Sequence, residues 1–442
     1  MEFKDMKASK LMLRMCIPSI ITILIMEIYH MADIFFIGQL GNTAMVSGLS
    51  LASPIIALVS TVGVLVGGGG SSALAMMLGK NSRENAEHVV SFSYWTSLFL
   101  GLVFGLGLFA FSSSLASLFG ARGEAYRYCE QYIRIFSIGV PFMCFANAMG
   151  SLIRGNGKSY QSLIGNMTGT VLNIILDPLF ILVFKMDVAG AAWATVVSNI
   201  ASALFYVVYM NGRSFGISCS IKKFTLRKDI SLLVLSLGVP MAFMTVLNFV
   251  TGTLSRRVLA SYGDVAVSAQ SITAKVVSFA TMLQMGIAMG MQPVFAYFYG
   301  AEDKKTLKDY FMKTAIIVVI AGTALTLICF VFGPTLVRFF MDNEEVVKLG
   351  ARYLNIMLIC APVAGIHTLS TSFFQAVKKP MTSLSLSVIR DGLLYIPLMY
   401  ALSAMYGMDG YVASRPVSTF ISVTVCVFVL YFKSGIFGKE QQ

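Results

Sequence analysis

The chain has 442 residues, 57% of them hydrophobic and only 12% charged, with a mean hydropathy of +0.77. A soluble domain carries about a quarter of its residues as charges, so this balance excludes a soluble globular protein and requires a polytopic membrane protein. A net charge of +12 would suit nucleic acid, but the basic residues fall in short gaps between apolar runs, where they set topology and meet anionic headgroups of the lipid bilayer. Nucleic acid is therefore not an expected partner.

Met1 to Arg14 is a short, basic, Met-rich leader that runs straight into the first apolar run without a small-residue cleavage site, so the first helix itself is expected to direct insertion. Apolar runs of spanning length, roughly 20 residues, lie near 15–37, 46–78, 89–111, 132–153, 160–183, 188–210, 231–255, 265–298, 310–332, 350–375, 382–405 and 412–432. They predict an all-α membrane protein of about twelve transmembrane helices. Two runs are overlong and glycine-rich, with Gly63 and Gly67 to Gly70 in the second and Gly286 and Gly290 in the eighth. Kinking and extension past the bilayer both account for them.

The leader, the tail from Lys433 and every second gap between these runs hold about 20 of the 33 Lys and Arg residues, and the opposite gaps about seven. The positive-inside rule then puts both termini in the cytoplasm, with the chain multi-pass in the plasma (inner) membrane. The longest basic gap, 213–230, sits at mid-chain and reads as a cytoplasmic linker between a six-helix lobe at 1–212 and a second at 231–442. The halves repeat: Pro18 meets Pro240, Gly41 meets Gly263, Gly79 meets Gly300, Tyr132 meets Tyr353, Pro141 meets Pro362 and Gly190 meets Gly410, at offsets of 220 to 222 residues. Six helices return the chain to the same side, so the repeats are parallel and pseudo-symmetric about an axis along the membrane normal, a plan by which secondary transporters expose one site alternately to each side. The seven cysteines lie mostly inside apolar runs without CxxC spacing and read as small buried hydrophobes.

The chemistry concentrates in Leu172 to Phe180, where Asn173, Asp177 and Pro178 interrupt the fifth run. A carboxylate at membrane depth is costly and is retained where it pairs, binds a cation or carries a proton. Asn173 and Asp177 are four apart and share a helix face; Pro178 leaves the carbonyl of Ile174 without its helical partner. At 1.5 Å per residue, Asp177 lies ~10 Å inside the outer end of the fifth helix, Thr195 ~10 Å into the sixth, and Asp33 ~7 Å from the outer end of the first. Together they form an oxygen-only set suited to a hard cation such as Na⁺, and the same carboxylates, buried together, would also take H⁺. A structural alternative has Asp177 capping a proline kink and Asp33 at the interface.

Other charges are weighed alike. Glu27 and His30 share the first helix with Asp33, and His30, three residues away, either tunes the acid or is a satisfied structural histidine. Lys275 lies in the eighth run, and Arg390 with Asp391 in the eleventh form either a local structural pair or part of the lining of a central cleft. Arg134, Arg352 and Arg415 lie near outer ends, where snorkelling is the preferred account.

At this point the residues resemble the multidrug and toxic compound extrusion (MATE) family. The likeness covers nearly the whole chain: Pro18 with Asp33 to Gly41, Arg154-Gly-Asn-Gly157, Asn173 to Pro178, Gly190 to Thr195, and the repeated half. Each motif is weak; their order and spacing together are specific. The resemblance implies the two-lobed MATE or flippase-like fold and cation-coupled efflux of amphipathic, often cationic compounds by a monomer that needs no cofactor beyond a coupling Na⁺ or H⁺. It places the cation on Asp33, Asn173, Asp177 and Thr195. Branches of the family with acids in helices 7 and 10 differ from this chain, which has Asn248 in the seventh run and no acid within the tenth.

Two other readings are kept. A lipid-linked precursor flippase of the same superfamily shares the plan but favours a basic cavity, hinted at only by Lys275 and Arg390. A polytopic membrane enzyme needs a metal-binding or acidic catalytic motif, and His30, His88 and His367 are scattered with no HExxH or DxxD-type cluster, so the chain is not expected to be an enzyme.

Overall fold

The structure, a computed structural model, describes residues 4, 6–38, 42–340 and 343–433, with the side chains of 29–35, 37, 38, 43, 264, 280 and 433 outside that description. Among the described residues every regular element is helical. Contacts divide the chain into two packed units, one of Met1–Met6 with Ile21–Thr245, the other of Lys7–Ile20 with Val246–Gln442.

The first unit takes the larger part of α1 (Ala8–Gly38), then α2 (Thr43–Gly79), α3 (Arg83–Ala110), the short α4 (Ser112–Leu118), α5 (Gly123–Gly155), α6 (Ser159–Pro178) with a π turn at Leu179–Val183, α7 (Asp187–Asn211), and the first half of α8 (Lys228–Ala260). Asn42 starts α2 by accepting the Ala44 N–H at 2.9 Å, which satisfies one of the orphan donors of a helix start. The 37 residues of α2 run without a break. At 1.5 Å each that is ~55 Å against a ~30 Å hydrocarbon core, so the long second run is longer than a bilayer crossing needs, with Pro54 inside it. Its glycines serve contact: a Cβ on Gly67 would stand 2.6 Å from Ala148 Cα of α5, and one on Gly69 only 1.9 Å from the Val234 carbonyl of α8.

The mid-chain basic segment is strapped to α3. Arg83, Ser91 and Trp95 donate to the carbonyls of Gly216, Ser220 and Cys219 at 3.0, 2.8 and 3.2 Å, and Lys223 pairs with Glu87 at 3.2 Å. His88 holds the Lys223 carbonyl at 2.7 Å. All seven cysteines are free and buried. In this segment, outside the spans, burial raises the thiol of Cys219 above its ordinary range.

The second unit continues with the rest of α8, then α9 (Asp264–Gly300), α10 (Lys304–Phe340), α11 (Glu344–Leu358), α12 (Ala361–Ala376), α13 (Pro380–Ser387), a π segment at Val388–Leu394, and α14 (Tyr395–Lys433). Asn343 caps α11 through the N–H groups of Glu345 and Val346 at 3.0 and 3.2 Å. The two helices α11 and α12 meet at 50° and together make one bent span. The run from Pro380 to Phe432 has 53 residues, ~80 Å at helical rise, and it breaks at Gly407, whose φ of 60° and ψ of −138° suit only glycine. Among the described residues, ten helices of spanning length, the bent pair, and the division of the last run at Gly407 account for the twelve expected crossings.

The units mirror each other in one detail. As the start of α8 packs on Gly69 of α2, the start of α1 packs on α9, where a Cβ at Gly286 would lie 2.7 Å from Ile20 Cα and one at Gly290 2.6 Å from the Met15 carbonyl. The sequence repeat puts its lobe boundary at the basic segment; the packed units instead exchange the first halves of α1 and α8.

Candidate functional site

The first unit builds its site along the α6–α7 pair. Ser162, Gly165, Gly169, Asn173 and Asp177, spaced by three and four, are buried on one stripe of α6, as one helix face requires. Thr195, Ser198, Ser202 and Tyr206 form the matching stripe of α7. The helices close by side chain to backbone: Ser202 donates to the Gly165 carbonyl at 2.9 Å and Tyr206 to that of Ser162 at 2.8 Å. At the other end the connection is three residues beyond the π turn, with the N–H groups of Phe184 and Met186 bound back to the carbonyls of Leu179 and Phe180. The departure from α geometry begins directly after Pro178.

Gly190 seats α7 on that turn; a Cβ there would lie 2.9 Å from the Phe180 carbonyl carbon and 3.0 Å from its oxygen. Gly190→Val is therefore expected to push α7 away from α6 and to cost about 1–3 kcal/mol, the usual penalty of overpacking. A lowered melting temperature of the purified protein, absent in Val208→Ile on the exposed face of the same helix, is the measurement.

At the centre Asp177 is wholly buried, Asn173 is 1% exposed and Thr195 5%. In the amide orientation that satisfies both of its terminal atoms, Asn173 donates to Asp177 Oδ2 at 3.0 Å and accepts the Thr195 backbone N–H at 3.3 Å. The Thr195 hydroxyl donates to the Ala191 carbonyl at 3.0 Å. Three of the four expected cation ligands are thus brought together. Backbone geometry keeps Asp33 on α1, but its side chain, like that of His30, lies outside the described residues. One oxygen was missed: Ser198, a turn from Thr195 on the same face, is 5% exposed and its Oγ has no hydrogen-bond partner among the described residues. Its spacing of three from Thr195 was the available signal. The donor set is carboxylate, amide and hydroxyl oxygen, the chemistry of a hard monovalent ion or a proton; among the described residues no three of His, Cys, Asp and Glu converge.

The remaining candidates separate. Glu27 is half-buried on α1 and Lys275 is exposed on α9, away from the α6–α7 stripe in sequence and in element. Arg390 and Asp391 lie on the π segment of the second unit. Asp391 is 1% exposed and takes Arg390 Nη2 at 2.9 Å and Arg415 Nη1 at 3.0 Å. Arg415 therefore does not snorkel as expected: it turns inward to a carboxylate and stacks 4.7 Å above the ring of Tyr395. Arg352 pairs with Asp409 at 2.5 Å and Arg134 lies over Phe109. Asn248 lines a cavity with Thr251, Ser255, Gln270 and Arg415.

Two arrays of six helices with equivalent landmarks, and a buried polar stripe in the first, now stand beside known proteins. The MatE family model matches residues 18–179 and again 240–401. The chain belongs to the MATE family. It is thus a multi-pass membrane transporter, not an enzyme. It is 30% identical to the multidrug export protein MepA of Staphylococcus haemolyticus over 97% of this chain and 94% of that protein. A MATE protein crystallised with MaL6 superposes with a TM-score of 0.91 at 21% identity, over 96% of this chain and 95% of that one. An outward-facing multidrug resistance MATE transporter of the MOP superfamily superposes at 0.89, with the same identity and shares. These likenesses show the two-lobed MATE fold.

Proposed function

We propose that the chain exports amphipathic, often cationic compounds from the cell in exchange for Na⁺ or H⁺, by exposing its binding surface alternately to the two sides of the plasma membrane, with both termini cytoplasmic and as a monomer. The observation that carries the reading is the buried Asn173–Asp177–Thr195 cluster in a chain whose curated relative is a multidrug export protein. In the proposed cycle a cation from outside is held by Asp177 with Asp33, Asn173 and Thr195, α1 bends, and the exported compound is displaced. The π turn after Pro178 keeps Asp177 at a point where the helix is already widened, as π turns at functional sites often do. Coupling needs only that cation and exported compound prefer different states of the protein.

The test is ethidium accumulation in cells expressing the chain, with an imposed Na⁺ gradient and separately an imposed pH gradient. Efflux that follows one gradient identifies the ion; efflux that follows neither removes the antiport reading.

A further inference from the structure

The duplicated halves place different chemistry at equivalent positions. The two family matches are offset by 222 residues and Gly190 meets Gly410 at 220. At these offsets Asp33 corresponds to Ser255, Asn173 to Tyr395 and Thr195 to Arg415. In the second unit those three counterparts touch: Ser255 Oγ lies 3.1 Å from the Tyr395 hydroxyl and 2.6 Å from that of Tyr411, and Arg415 stacks on Tyr395. They line one cavity of about 310 Å³. Counted from the ends of α8 and α9 remote from the linker, Ser255 and Gln270 lie ~8–9 Å in, the depth of the candidate cation site in the first half.

We propose that this cavity is a binding site for a small organic acid that also carries a hydrogen-bond donor. Duplication kept the place and reversed the charge: one acid and an amide became hydroxyls, the acid at 177 became the buried Met399, and a hydroxyl became a guanidinium. Asp391 neutralises one of the two guanidiniums that reach it, Arg390 and Arg415, and leaves a formal charge of +1. The cavity wall adds Arg256, and among the described residues none that lines it is acidic. A net positive charge at membrane depth is costly until an anion arrives, and Arg presents a flat, forked donor face suited to carboxylate. A second, independent feature fixes the other half of the ligand. Gln270 lines the same cavity and is 8% exposed; its Nε2 donates to Met357 Sδ at 3.5 Å, and its Oε1 has no partner among the described residues. A buried acceptor left unmatched is satisfied by an O–H or N–H from the occupant. Met357, Leu259 and Val412 supply an apolar wall for the rest of the molecule.

The experiment measures equilibrium binding of radiolabelled salicylate, which joins a carboxylate to a hydroxyl, to the purified full chain in detergent without any ion gradient. It therefore stands apart from the coupling reading at Asp177. Expected are saturable 1:1 binding, no competition from benzylamine, at least tenfold weaker binding in Arg415→Gln, intermediate weakening in Arg415→Lys, which keeps the charge but loses the fork and the stack on Tyr395, and loss in Ser255→Asp, which restores the charge of the first half. Absence of saturable binding overturns the proposal, as does wild-type affinity in whichever of Arg415→Gln and Ser255→Asp retains the wild-type melting temperature.

Discussion

Asp177→Asn is expected to abolish gradient-driven ethidium efflux while leaving expression and melting temperature near those of the unaltered protein. The replacement has the same shape, and an amide at 177 still accepts from Asn173, so the α6–α7 stripe keeps its closure at Gly165 and Ser162. What disappears is the negative charge. At an effective dielectric constant of ~20, a charge pair at contact distance is worth about 4 kcal/mol, which is roughly a 10³-fold loss of affinity for the coupling cation. The readout is efflux in everted vesicles across a range of cation concentrations. Full efflux by a folded Asp177→Asn protein would remove Asp177 from the coupling site and restore the account in which it only caps the end of α6.

The second large effect belongs to the other half. Asp391 is buried and receives two guanidiniums; Asp391→Asn leaves both without their carboxylate. Removing one member of a buried ion pair costs about 3–5 kcal/mol, because the charges left behind stay desolvated. A markedly lower melting temperature and poor yield are expected, and Arg390→Met in the same chain should recover part of the loss, since it removes one of the stranded charges. If Asp391→Asn melts like the unaltered protein, the triad is not buried as described and Arg415 is the snorkelling residue its position suggested.

The contrast between these two sites shows what a sequence can reveal. Asn173 and Asp177 were legible because four residues on one helix fix a shared face, and Thr195 because a turn of a few residues forces α7 beside α6. Each step is local. The second cluster is not: Arg415 reaches Asp391 across 24 residues and the break at Gly407, so its position near the end of a run implied a lipid-facing role. Ser255 and Tyr395 left no signal on their own, since hydroxyls are common in packed membrane helices and only the repeat offset brings them to notice. The glycines of the second and eighth runs were visible as a pattern, but their purpose depended on which backbone lay opposite, and that is tertiary information.

The exchanged ends of α1 and α8 carry a consequence for synthesis. Lys7–Ile20 precedes the α9 backbone it packs on, at Gly286 and Gly290, by some 270 residues, a delay of roughly 15–50 s at ordinary elongation rates. The segments of the first unit are all synthesised once α8 has emerged as far as Thr245; those of the second include α9 and the rest of the second half as well as Lys7–Ile20. Expression of 1–212 alone would lack the α8 segment that covers Gly69, and expression of 231–442 alone would lack the α1 segment that covers Gly290. Neither half is a complete folding unit, so the repeat legible in the sequence records duplication, while each packed unit draws on both halves of the chain.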